Sequence, residues 1–209
     1  MKMRIASLSL LTVCCLMLAV APAMAADTPY YNNGPYNGTN DAWTINFGFT
    51  VSDSYNNNPP SGTTGIDFVY WDASASDIVT TVDVQFGSTS FSGPVNTLAF
   101  SSTLLGTNQY GYNLFAASWR GSPIPDPATG FITLGNSCST SGCSVSNPIY
   151  WDENSGPSTA YENTLGSIPS EAFTLYASNP PSTPEPSSIM LFGSGILGLA
   201  GVLRRRLMR

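Results

Sequence analysis

Histidine is absent from this 209-residue chain, lysine occurs once at Lys2, and only 10% of residues are charged. Without histidine there is no Ser-His or Cys-His activation, and an interior free of lysine removes Ser-Lys dyads and Schiff-base chemistry. Basic residues stand at the ends: Lys2 and Arg4 at the start, Arg204, Arg205, Arg206 and Arg209 at the finish. Between positions 27 and 186 only Arg120 remains against all thirteen carboxylates, a net charge of −12. That surface repels phosphate backbones, which excludes nucleic acid as a partner. No glycine-rich phosphate loop stands between a strand and a helix either.

The ends read as addresses. Lys2 and Arg4 precede an apolar run from Ile5 to Val20 and then Ala23-Met24-Ala25. This is a secretory signal peptide spanning 1–25, cut after Ala25, and Cys14 and Cys15 leave with it. At the other end a Pro/Ser-rich linker, 179–188, contains Ser182-Thr183-Pro184-Glu185-Pro186-Ser187-Ser188. An uncharged, glycine-rich stretch, 189–203, and a basic tail, 204–209, follow. The stretch is a short transmembrane helix whose arginines mark the cytoplasmic side, so the region between the two ends lies outside the inner membrane.

Triad, helix and arginines in this order resemble the PEP-CTERM sorting signal over about the last 27 residues. Pro184, Glu185 and Pro186 match its motif, and Leu197-Gly198-Leu199-Ala200-Gly201 its helix. The resemblance implies a Gram-negative host that makes exopolysaccharide or biofilm. It also implies a transient inner-membrane anchor and an exosortase-type transpeptidase as processing partner. Physically, two prolines without amide donors present Glu185 on extended backbone.

The middle predicts one antiparallel β-sandwich, jelly-roll-like, over 42–178, behind a flexible leader over 26–41. Trp43, Ile45, Phe47, Phe49 and Val51 alternate with polar residues, the strongest strand signal in the chain and one that places Trp43 in the core. Asp53 to Gly62 reads as the loop that ends it. Further strands are expected at 66–71, 78–86, 96–103, 110–119, 130–134, 146–151 and 172–177, about eight in all, punctuated by Gly, Pro, Ser and Asn. Thr159 and Glu162 match a capping box for one helical turn, with Gly166 as its stop. Cys138 and Cys143, the cysteines left after export, predict a disulfide closing a small loop. Two thiols without histidine fall short of a zinc site.

Two similar segments, Tyr70-Trp71-Asp72 and Tyr150-Trp151-Asp152, are the candidate glycan-binding residues: an aromatic face stacks on a sugar ring while an acid orients its hydroxyls. The competing and favoured reading makes these rings core and the aspartates turn caps. Loops Asp152-Glu153-Asn154-Ser155 and Asp53-Ser54-Tyr55-Asn56 are oxygen-rich enough for calcium, though neither follows an EF-hand pattern. A carboxylate-pair glycosidase would draw on Asp72, Asp152, Glu153, Glu162 or Glu171. Arg120 is expected to pair with a buried or half-buried carboxylate rather than to clamp a substrate. The reading is an exported, non-catalytic envelope or matrix protein associated with exopolysaccharide. A carbohydrate-binding module is the alternative and a glycosidase the remote one.

Overall fold

The computed structural model describes residues 27–57, 62–143 and 147–178. The expected signal peptide, the triad Pro184-Glu185-Pro186, the segment 189–203 expected to form a helix and the basic tail lie outside the described residues. Among the described residues there are thirteen strands and no helix. In order they are β1 (Asp27–Asn32), β2 (Ala42–Thr44), β3 (Thr50–Asn56), β4 (Thr63–Asp72), β5 (Val79–Gly87), β6 (Val95–Ala99) and β7 (Ser101–Thr107). Next come β8 (Asn113–Ile124), β9 (Thr129–Ser139), β10 (Tyr150–Asp152), β11 (Ala160–Glu162), β12 (Gly166–Ile168) and β13 (Phe173–Ser178).

They form two antiparallel sheets, a β-sandwich. In the first, β4 is central: β8 lies along one side with β7 beyond it. On the other side β13 and β10 follow one another, backed by β1 and β2. The second runs β12-β11-β3-β9-β5-β6. Strand β4 is buried along nearly its whole length, as expected of a strand covered on both faces. Alternation sets the packing elsewhere: Val82, Val84 and Phe86 of β5 point inward, while Thr81, Asp83 and Gln85 point out. Facing them are Ile66, Phe68 and Tyr70 with Phe115, Trp151 and Phe173. Edge-to-face and stacked ring pairs, such as Phe68–Trp151 at 6.2 Å and Tyr70–Phe115 at 5.1 Å, contribute about 0.5–1.5 kcal/mol each beyond area burial.

Four expectations are corrected. The flexible leader 26–41 contributes β1, which pairs with β13 and closes an edge. The nine-residue alternating strand is broken: β2 belongs to the first sheet and β3 to the second, and Asn46-Phe47-Gly48-Phe49 turns the chain between them, closed by Phe49 N–H donating to Asn46 O at 3.0 Å. Strand β3 then continues through Asp53, where a loop was expected. The helical turn after Thr159 is a β-hairpin. Ladder bonds from β11 to β3 hold Ala160 in the core, and Glu162 Oε2 caps the turn by accepting from the Thr164 and Leu165 amides at 2.9 and 2.8 Å.

Cys138 and Cys143 are joined, closing the loop at the end of β9. Arg120 is the paired cation the sequence predicts. Its Nη1 and Nη2 donate to both oxygens of Asp67 at 2.7 and 3.0 Å, and its guanidinium lies 4.0 Å over the Tyr176 ring. Gly65, opposite Arg120 in the ladder, makes room for this: a Cβ there would stand 2.7 Å from Arg120 Cδ.

Candidate functional site

The two aromatic-acid segments are neighbours. Tyr150 pairs with Trp71 and Trp151 with Tyr70, antiparallel, so each dipeptide faces its counterpart. Period-2 alternation then splits the six candidates between two faces. Tyr70 and Trp151 turn inward and are fully buried. Their polar atoms are bonded there: Val79 N–H donates to Tyr70 Oη at 2.9 Å, and Trp151 Nε1 donates to Ala172 O at 3.0 Å. Neither ring offers a face to a sugar, which corrects their place in the glycan set. The burial expected of Trp43 belongs more fully to Trp151. Trp43 pairs with Trp151 from the short edge strand β2, is half-buried, and donates Nε1 to Glu153 Oε2 at 3.2 Å.

Trp71 and Tyr150 turn outward and meet two tyrosines that motif spacing did not single out. Tyr110 stacks on Trp71 at 6.0 Å, and Tyr112 stands edge-on to Tyr150 at 5.7 Å. Trp71 is buried beneath this cover, and the exposed ring is that of Tyr110, at 56%. An aromatic inside the turn Asn108-Gln109-Tyr110-Gly111-Tyr112 was the available signal, since turns carry their side chains to the surface. Asp152 is committed to structure: it accepts from Trp71 Nε1 and from the amides of Asn37 and Gly38 at 2.9 and 3.0 Å, fastening the segment after β1. Asp72 caps a turn through the Ser74 amide at 2.7 Å. Burial, reinforced by the charge of Asp77, pushes Asp72 up to about 6.

A group of buried acids lies within the sandwich. Asp53 sits between Val51 and Tyr55 on the inward face of β3. Its Oδ2 accepts from Asn33 Nδ2 at 3.1 Å and from the Glu171 amide at 2.7 Å. Asn33 Nδ2 also donates to Glu171 O at 2.7 Å, and Asn154 Nδ2 to Asn33 O at 2.8 Å. Glu171 is fully buried with both carboxyl oxygens unpartnered, as is Asp53 Oδ1. Burial holds Glu171 well above the usual carboxylate range, and the charges of Asp53, Glu153, Asp152 and Asp41 add to it. Burial likewise lifts Asp53 to about 6, against hydrogen bonds from Ser158 and the Glu171 and Ser54 amides. With Arg120 committed to Asp67, no cation offsets this, and burial favours the protonated form of Glu171.

The five glycosidase candidates therefore have other employment. Glu162 and Asp72 cap turns, Asp152 fastens backbone, Glu153 holds Trp43, and Glu171 is sealed from solvent. Of the two calcium-candidate segments, 53–56 is strand. In the other, Asn154 Oδ1 accepts from Ser170 Oγ and from the Gly156 amide at 2.9 Å. Among the described residues, no three Asp, Glu or Cys side chains are grouped to hold a metal ion.

The fold is a disulfide-bearing β-sandwich, and the sequence beyond it carries the Pro-Glu-Pro triad and the basic tail. Residues 182–206 match the PEP-CTERM protein-sorting motif. The match supports export and exosortase sorting, with membrane-associated passage to the cell surface. It spans the tail and leaves the sandwich unassigned. No curated protein matches the chain.

Proposed function

We propose that the sandwich is a non-catalytic surface or matrix domain of a Gram-negative envelope, anchored transiently in the inner membrane and associated after tail processing with exopolysaccharide. The observation that carries this reading is the sorting motif at 182–206. Supporting it, the acids suited to hydrolysis cap turns, fasten backbone or lie sealed in the core, where no polysaccharide chain reaches them. Neutral and anionic faces without lysine suit a matrix component that does not bind polyanions by charge. Replacing Glu185 with Ala in a host that has the transpeptidase should leave an unprocessed, membrane-held precursor. The wild-type chain should appear shortened in the extracellular polysaccharide fraction. Equal processing and release of both proteins would overturn the reading.

A further inference from the structure

Among the described residues three non-glycine residues have left-handed backbone, and two of them, Phe47 (φ 55°) and Asn136 (φ 45°), line one groove of about 350 Å³ on the outward face of the second sheet. A phenylalanine is out of place there. The turn Asn46-Phe47-Gly48-Phe49 has positive φ at both central residues, a geometry that favours Asn or Gly at the first. Left-handed backbone brings a Cβ too close to the following carbonyl oxygen and is unfavourable for any residue that has one. The ring gains little burial in return, being 47% exposed. Strain of this kind, kept where packing does not require it, gathers at ligand sites.

The rest of the lining is mostly polar, and hydrogen bonds tie part of it together. Asp83 of β5 accepts from Thr97 Oγ1 at 2.5 Å through Oδ1 and from Asn136 Nδ2 at 2.9 Å through Oδ2. Each carboxylate oxygen retains a lone pair, and Asn136 keeps its carbonyl oxygen as an acceptor. Thr81 adds a hydroxyl, and the Cys138–Cys143 bridge braces the rim. The third left-handed residue, Phe91, is also exposed; its amide donates to Ser52 Oγ at 3.4 Å, on the outward side of β3 in the same sheet.

We propose that this groove binds a neutral saccharide segment, with Phe47 stacking on the C–H face of a ring and Asp83, Asn136 and Thr81 engaging its hydroxyls. The volume lies at the small end of ligand clefts, matching one or two sugar rings. The acidic chain and Asp83 exclude polyanionic glycans. The proposal rests on the exopolysaccharide reading for the source of its ligand.

Affinity gel electrophoresis of the exported, processed chain tests it, with hydroxyethylcellulose, galactomannan and dextran as neutral probes and alginate as the anionic one. Retardation in at least one neutral gel and none in alginate is expected. Phe47→Ala and Asp83→Asn should each weaken retention at least tenfold, and Tyr110→Ala should leave it unchanged. Phe47→Gly, which relieves the left-handed strain, should keep or raise the melting temperature while losing retention. Retention of Phe47→Gly equal to wild type would overturn the site and leave the exopolysaccharide reading standing through another surface. A wild-type chain that runs freely in all neutral gels would overturn the saccharide site. Matrix fractionation of the same cells scores the localisation reading independently.

Discussion

Asp53 and Asp67 are both aspartates inside long strands, each flanked by residues that pack, and they behave in opposite ways. Asp53 faces the interior of the sandwich among other acids and is pushed up to about 6 by burial. Asp67 faces outward. Burial also raises it, but hydrogen bonds from Arg120, Ser118 and Tyr176, with the Arg120 charge, bring it below the ordinary value. The difference is the address of a single guanidinium. In a domain with one cation, the carboxylate that holds it is charged comfortably, and the buried remainder depend on protons or on hydrogen bonds from neutral groups, as Asp77 does from Thr140 and the Ser141 amide.

The contrast between interior and outer face breaks most visibly at tryptophan. Trp151→Ala removes a fully buried ring and its bond to Ala172 O, and should cost about 3–5 kcal/mol, near the whole stability of a marginal domain. Trp43→Ala, half-buried on an edge strand, should cost about 1–2 kcal/mol. Urea midpoints of the two variants check the order, and equal losses would show that the edge strand is as critical as the core.

The interior acids sharpen the comparison through pH. Asp53 and Glu171 have folded-state values raised above their unfolded ones, so their contribution is fully present below about pH 4 and is lost as pH climbs through the folded values. For Asp53 the loss falls between about pH 4 and 6 and is on the order of 2–3 kcal/mol; Glu171 extends it above that range. Denaturant midpoints should therefore fall from pH 4.5 to pH 8, and Glu171→Gln should flatten the decline. A wild-type midpoint independent of pH across this window would contradict the protonated-core account.

On the outer face the effect is smallest and has the opposite sign. The folded-state value of Asp67 is lowered, so its stabilisation is present above the unfolded value near pH 4 and is lost as pH falls through the folded one. Arg120→Ala should cost about 1 kcal/mol at pH 7, because the pair is about one-third exposed and screened by solvent. The deficit should shrink toward pH 3, which paired melts of wild type and variant would register.

Much of the architecture is legible from strand-length runs separated by Gly, Pro and Asn, and the Cys138–Cys143 bridge is legible from spacing and compartment. The failures are equally specific. Five alternating apolar residues from Trp43 to Val51 concealed Asn46 and Gly48, whose turn carries the chain from one sheet to the other and leaves Phe47 exposed. Thr159 and Glu162 fit a helix cap because a carboxylate that receives amide bonds in a helix receives them equally well in a hairpin turn. The segment 26–41 lacks any dense apolar pattern, yet backbone pairing with β13 makes its first part an edge strand, and ladder bonds do not depend on side-chain hydropathy.

By itself the sequence determined the sorting motif, the all-β class, the disulfide and the scarcity of cations, because each of these resides in local composition or short spacing. Only the tertiary structure decided that Tyr70 and Trp151 face inward while Trp71 and Tyr150 face out, that Asp53 meets Glu171, and that Arg120 serves Asp67. Alternation places neighbouring residues on opposite faces of a strand. Which face becomes the interior, and which strands lie beside it, is set by contacts between segments far apart in sequence, such as Asp27 with Ser178, 151 residues apart.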